Sequence, residues 1–224
     1  MKRKLLSLLL ILLMTLMPLT ACCDEDTQPV ATSEPTYRPA ADAPAKPVIY
    51  LYPEEETDVN VRLDFNGTLT STYPVYEEGW NVTAQPDGTL TDANGREYYC
   101  LFWEGESRVP YDLSTGFCIA GENTRAFLEE SLALLGLTDK EANEFLIYWL
   151  PQMEHNAYNL ISFQTDLYAD NAKLTVSPAP DSVLRVFMAW MPLEKPVEVE
   201  PQALAPFARE GFAVVEWGGA KVVR

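Results

Sequence analysis

The sequence is poor in the residues that usually announce an active site. It has one histidine, His155, and four cysteines, Cys22, Cys23, Cys100 and Cys118, among 224 residues. One imidazole and no close cysteine pair of knuckle spacing leave a zinc site short of ligands. There is no Gly-rich phosphate loop and no Gly-x-Ser-x-Gly elbow, so nucleotide use and ordinary serine hydrolysis have no support. Positive charge is scarce as well, with 16 Lys and Arg against 33 Asp and Glu and a formal charge of −17. Binding to phosphate backbones relies on basic surface and counterion release, so nucleic acid is excluded as a partner. Neither a metal nor another cofactor is called for.

The N-terminus is richer in signal. Lys2-Arg3-Lys4, the apolar run 5–17 and Pro18-Leu19-Thr20-Ala21-Cys22 have the n-region, h-region and small-residue cleavage site of a signal peptide. The run falls short of the roughly 20 residues a helix needs to cross the hydrocarbon core. Leu19-Thr20-Ala21-Cys22 also resembles the lipobox of bacterial lipoproteins. That resemblance implies cleavage before Cys22 and acylation there, hence a cell-membrane lipid anchor on the extracytoplasmic face. Two or three acyl chains, at about 0.8 kcal/mol per buried methylene, would hold the protein stably where one would be marginal. Removing Lys2, Arg3 and Lys4 with the leader leaves 13 of the 16 basic residues against 33 acidic ones, a net charge of −20.

Residues 22–46 read as the lipidated terminus and a tether, because Asp, Glu, Thr, Pro, Ser and Ala without periodic apolar positions cannot offset the entropy of ordering. In extended polyproline geometry such a tether spans up to roughly 70 Å. The stretch 47–224 is long enough for one domain with a sizeable core.

Within it, 46–53 reads as a core strand. Val59, Val61, Leu63 and Phe65 alternate with polar residues, and Asn66-Gly67 signals a hairpin into 68–73. Trp80, Val82 and Ala84 alternate again, and 97–103 reads as one further strand, so 48–104 is expected to be a meander of short antiparallel strands. Two helices should follow. One runs from Asn123 or Thr124 to about Leu135 with Gly136 as its stop, and Thr138-Asp139-Lys140-Glu141 opens the other as a capping box. Ala142, Phe145, Leu146 and Trp149 form its apolar stripe, and Pro151 should end or kink it. Leu160 to Phe163 is a possible strand, Leu174 and Val176 alternate in another, 183–190 reads as a central strand, and 212–217 as the last substantial one, with Gly218-Gly219 turning the chain. The fold class expected is α+β, mainly antiparallel β in a sandwich or open barrel, with an inserted helical hairpin. The short turn between the helices superficially matches a DNA-binding helix-turn-helix, which acidity and export oppose.

Lys46-Pro47-Val48-Ile49-Tyr50-Leu51-Tyr52-Pro53, Phe102-Trp103-Glu104-Gly105, Tyr148-Trp149-Leu150-Pro151-Gln152-Met153, Asn159-Leu160-Ile161-Ser162-Phe163 and Val215-Glu216-Trp217-Gly218-Gly219 resemble phrases of a family of uncharacterised bacterial proteins, many exported. The resemblance implies a single shared domain and brings no activity or catalytic residue with it.

Three chemical readings compete. Glu104, Glu154 and Glu216 stand beside Trp, Met or Gly near element ends, and apolar neighbours can raise a carboxyl into general-acid range. Two such groups across an aromatic cleft walled by Trp103, Trp149 or Trp217 would suit a carboxylate-dependent glycan hydrolase. His155 could act as base for Cys118, although Ser114-Thr115-Gly116-Phe117-Cys118 matches no cysteine-peptidase signature. Alternatively Cys100 and Cys118 could pair and close a loop worth about 3 kcal/mol. The reading that asks least is a binding module for an envelope glycan or peptide. It would use Trp103, Trp149, Gln152, Glu154, His155, Asn159 and Trp217, since clefts combine apolar walls with a few polar groups.

Overall fold

In the computed structural model, which describes residues 44–107 and 109–223, strands dominate. They are β1 (Ala45–Tyr52), β2 (Thr57–Phe65), β3 (Thr68–Tyr73), β4 (Trp80–Ala84), β5 (Leu90–Thr91), β6 (Glu97–Tyr98), β7 (Leu101–Glu106) and β8 (Thr115–Ala120). After a 3-10 turn, Gly121–Asn123, come α1 (Thr124–Leu134) and α2 (Asp139–Met153). Then follow β9 (Tyr158–Phe163), α3 (Thr165–Asn171), β10 (Ala172–Ser177), β11 (Ser182–Leu193), β12 (Glu200–Pro201) and β13 (Ala213–Lys221). The fold is α+β and mainly β. The residues read as a leader, Cys22 and most of those read as a tether lie outside the described residues, while Ala45 and Lys46 already belong to β1, so the strand starts slightly earlier than composition indicated.

Two sheets form. The larger has the order β12-β8-β9-β11-β13-β1-β7-β3 and the smaller β10-β2-β4-β5-β6. Period-two alternation aims Val59, Val61 and Leu63 of β2 and Trp80 and Val82 of β4 at Ile49, Leu51, Trp103, Phe187 and Val214 of the large sheet. The opposite face of that sheet presents Val48, Tyr50, Val186, Met188, Val215 and Trp217 to Leu128, Leu132, Phe145, Trp149 and Met153 of the two helices. The large sheet is therefore the middle of three layers. Its strand β13, buried at every position from Ala213 to Ala220, runs parallel to β11 and antiparallel to β1. Burial on both faces explains why this strand reads as an apolar run without clean alternation.

The helical hairpin connects β8 to β9, which are neighbours in the large sheet. Its capping box forms as the sequence indicates: Glu141 N–H donates to Thr138 Oγ1, and Thr138 N–H to the Glu141 carboxylate. Arg209 reaches over from the segment before β13 to pair with that carboxylate. Burial works against the Glu141 charge, but the Arg209 and Thr138 bonds outweigh it and hold the group below the usual carboxylate range.

Four expectations are corrected. Asn66-Gly67 does not make a hairpin: β2 stays in the small sheet, while β3 crosses to the large one and pairs with β7. Gly67 is required by close approach, since a Cβ there would lie 2.3 Å from the Glu106 carbonyl oxygen. Residues 97–103 divide into β6 and β7, one in each sheet, so the meander becomes a two-sheet path. Helix α2 does not end at Pro151 but runs on to Met153, which overturns the first of the two outcomes expected there. Ile147, whose carbonyl loses its donor there, is exposed, and water can replace the missing bond. Gly218 and Gly219 continue β13 instead of turning it, and a Cβ on Gly219 would meet the Met188 carbonyl oxygen at 2.6 Å and the Trp149 ring at 2.7 Å.

Candidate functional site

Glu216 points into the core between the sheets and is 0% exposed. Trp103 Nε1 and the Tyr168 hydroxyl donate to its Oε1 at 3.1 and 2.9 Å, and Arg185 Nε donates to Oε2 at 2.6 Å. The Tyr168 ring stacks on Phe187 with centroids 4.1 Å apart, and the Arg185 guanidinium lies 4.6 Å from the Tyr168 centroid. Burial and the adjoining carboxylate hold the Tyr168 hydroxyl far above its ordinary range. Burial opposes the Arg185 charge as well, but Glu216 and Tyr168 outweigh it and leave that group more strongly protonated than usual. The carboxylate takes bonds from all three neighbours inside the core, the arrangement of a structural ion pair, although Arg185 Nη2 is left without a well-directed hydrogen bond.

Glu154 ends α2 and pairs with Arg125 at 3.3 Å on the surface, with His155 Nε2 at 3.9 Å and the His155 side chain 88% exposed. Asn159 is buried and donates to Thr124 Oγ1 and to the Met153 carbonyl, both at 2.9 Å, while accepting from Asn156 at 2.7 Å. It ties the start of α1 and the end of α2 to β9. Gln152 is exposed and donates to the Tyr148 carbonyl. Trp103, Trp149 and Trp217 are all within the core. None of the three tryptophans is available to wall a sugar site.

Glu104 faces the other way from Trp103 along β7, sharing the side of Phe102, which packs toward the helical layer. Glu104 and Glu216 therefore point to opposite faces of the same sheet, and Glu154 sits beyond the end of α2. The three carboxylates do not converge on one cleft. Cys118 pairs with Leu160 across β8 and β9 and shares its face toward the second sheet, whereas His155 follows the helix on the other face. A Cys118–His155 couple is not assembled. The alternative that Cys100 and Cys118 pair is not met either: both are free. Cys118 on β8 and Cys100 beside β7 stand five strand spacings apart, roughly 24 Å at the usual interval, whereas a disulfide needs Cα atoms within about 7 Å.

Of the three candidate carboxylates it is Glu104 that borders an aromatic cavity. It lines a cleft of about 520 Å³ with Lys46, Val48, Tyr73, Glu97, Tyr98, Tyr99, Cys100, Phe102 and Tyr148. β1, β3, β6, β7 and α2 each contribute, so the cleft exists only once both sheets and the helical layer are in place. Tyr73 and Tyr99 remain 49% and 53% exposed, large rings left in water beside a concavity. Tyr73 meets Tyr98 edge to face at 5.5 Å, and the Arg96 guanidinium lies 5.7 Å from each of the two centroids. Lys46 N–H donates to Glu104 Oε1 at 3.2 Å, and its ammonium lies 5.5 Å from the Phe102 centroid and 6.0 Å from that of Tyr148. Behind the cleft, the Tyr50 hydroxyl donates to Glu144 at 2.8 Å and accepts from Trp217 Nε1 at 3.2 Å. Burial, with Glu144 adding to it, pushes the Cys100 thiol up to about 12. A thiol held protonated is a poor nucleophile, so Cys100 serves as wall. A groove of about 700 Å³ along α1 and α2 is larger but has no aromatic lining. Among the described residues, no cluster of three His, Cys, Asp or Glu side chains is placed to hold a metal ion.

The cleft was not legible as a site in the sequence. Its residues lie in distant segments, and alternation alone does not say which sheet edge β3 and β6 will join. The available signal was the density of aromatics at 98–103, together with Lys46, Phe102, Glu104 and Tyr148 in the family-like phrases.

The fold and cleft define a mainly-β α+β domain with an aromatic-lined concavity at one edge of its central sheet. No family model matches the chain, and no solved structure matches it. Over 64 residues the chain is 50% identical to an uncharacterized protein in the bglA 3′ region of Butyrivibrio fibrisolvens. The match covers 27% of this chain and 66% of that protein, just under two thirds of its length.

Proposed function

We propose that this protein is a lipid-anchored, extracytoplasmic binding module for an envelope glycan, with the cleft between Lys46, Tyr73, Tyr99, Phe102, Glu104 and Tyr148 as its site. The observation that carries this reading is the set of five aromatic rings, from Tyr73, Tyr98, Tyr99, Phe102 and Tyr148, around one open cavity. The C–H faces of pyranose rings pack on aromatic faces, tyrosine adds a polar edge, and a few carboxylates suffice to accept sugar hydroxyls. Glu97 and Glu104 supply those acceptors. The lipobox at Cys22 and the acidic, Pro-containing tether support placement at a membrane surface, within reach of envelope polymers.

The test is calorimetric titration of the detergent-solubilised full chain with a panel of envelope oligosaccharides. Tyr73→Ala and Tyr99→Ala should each weaken binding about tenfold, equivalent to about 1.4 kcal/mol, with the unfolding midpoint retained. Unchanged affinity in both variants would sink the cleft as the site, and binding of peptides alone would change the ligand class. The bound oligosaccharide should be recovered intact, and its cleavage would turn the module into a hydrolase. The anchor is tested by Cys22→Ser, which should leave the membrane pellet.

A further inference from the structure

We infer that the cleft selects a glycan unit bearing a single carboxylate, and that Lys46 is the residue that reads it. The inference rests on the glycan-binding reading above and names the substrate class within it. Lys46 has φ 59°, the only positive φ at a non-glycine position among the described residues. It lies where the β1–β13 register shifts between Ala45 and Val48. A side chain in the left-handed region is disfavoured by contact of Cβ with the backbone, and such conformations persist where surrounding structure over-determines them. Here the irregular strand and the bond from the Lys46 amide to Glu104 Oε1 hold it. The result is an ammonium carried over Phe102 and Tyr148 inside the cleft.

The charge of that ammonium is not spent on a partner side chain. Among the described residues, Arg125, Arg185 and Arg209 each sit in an ion pair with a glutamate, and Lys46 is in none. Arg96 over Tyr73 and Tyr98 and Lys221 over Trp190 are held on rings in the same way, and of these three cations it is Lys46 that lines the cleft. Ring quadrupoles attract an ammonium without neutralising it, so its charge is available to an anion entering the cleft. The surrounding field sets the limit on that anion. A chain of −17 repels polyanions at range, and only a local, single anionic group gains more from Lys46 than it loses to the field. An acidic sugar within an otherwise neutral glycan has that character: its ring lies on the aromatic walls and its carboxylate meets the ammonium.

The experiment titrates the full chain with pairs of disaccharides that differ only in bearing a C6 hydroxymethyl or a C6 carboxylate, in gluco, galacto and manno series. The carboxylate member of at least one pair should bind about tenfold more tightly, with a preference that shrinks as sodium chloride is raised. Lys46→Gln should abolish the preference, bringing the carboxylate member to the affinity of its neutral partner, while Lys46→Arg should keep most of it. Lys46→Gln removes the charge and keeps the strained backbone, whereas Lys46→Gly removes both, so equal loss of preference in the two assigns the effect to charge and not to strain. Equal binding of both members, or a preference untouched by Lys46→Gln, overturns the role of Lys46 and leaves the glycan reading standing. Absence of binding by every sugar overturns both.

Discussion

Glu104 and Glu216 make an informative pair. Each adjoins a buried tryptophan in sequence, Trp103 before the one and Trp217 after the other, and both stand on strands of the same large sheet. Their environments are opposite. Glu216 falls on the inward face between the sheets and is closed in by Arg185, Tyr168 and Trp103. Glu104 falls on the other face near the sheet edge, where only β3 lies beyond β7, and opens into the cleft beside Lys46. Pleat parity and distance from the edge, not local sequence, decide which carboxylate is sealed and which can meet a ligand.

The strongest test of this contrast is Glu216→Gln, which strands the buried Arg185 charge and should cost about 3–5 kcal/mol in urea unfolding. Replacing both partners, with Glu216→Leu and Arg185→Met, removes the stranded charge but leaves Trp103 Nε1 and the Tyr168 hydroxyl without their acceptor, so it should recover only part of that loss. A cost below about 1 kcal/mol for the single change would mean that the network is not sealed. On the helical face of the same strand, Gly219→Ala forces a Cβ against the Met188 carbonyl and the Trp149 ring. It should destabilise by about 1–3 kcal/mol through overpacking.

A smaller effect comes from Cys100 in the cleft wall, whose thiol is pushed up to about 12 from an ordinary 9.0. Folding then favours the protonated form, so the contribution is complete below pH 9 and is lost as pH rises from 9 toward 12. Stability measured across that window should fall less steeply in Cys100→Ala. Iodoacetamide at pH 8.5 should label Cys118 well before Cys100. The smallest effect is expected at the open end of the comparison, where Tyr73→Ala should change stability by no more than about 0.5 kcal/mol while weakening glycan binding. A large loss of stability there would make the tyrosine a core residue instead of a cleft wall.

Much of the secondary structure could be read from local pattern. The alternation in β2 and β4, the Thr138 capping box, the Gly136 stop and the apolar identity of β11 and β13 are all local properties and appear where expected. Local pattern and tertiary structure part where one local signal has two outcomes. Asn-Gly at 66–67 serves a crossing between sheets as well as it would serve a hairpin. A glycine pair such as Gly218-Gly219 can turn a chain or admit a tryptophan against a strand. Helix α3 is seven residues with two Asp and an Asn, too short and polar to stand out. At the site, the tryptophans drew notice because they are large, yet size is what puts them in the core. The exposed tyrosines and Lys46 carry no comparable mark.

The sequence by itself determined the acidic balance, the class of fold and most strand and helix positions, because composition and short-range periodicity act through neighbouring residues. The tertiary structure alone decided which sheet each strand joins, which glutamate is sealed, that Cys100 and Cys118 lie far apart, and that Lys46, Tyr73, Tyr99 and Tyr148 share a cleft. Those outcomes depend on contacts between residues far apart in the chain, such as Lys46 with Tyr148 and Tyr50 with Trp217, 167 positions away, and long-range pairing is set by the packing of the whole core instead of by any segment within it.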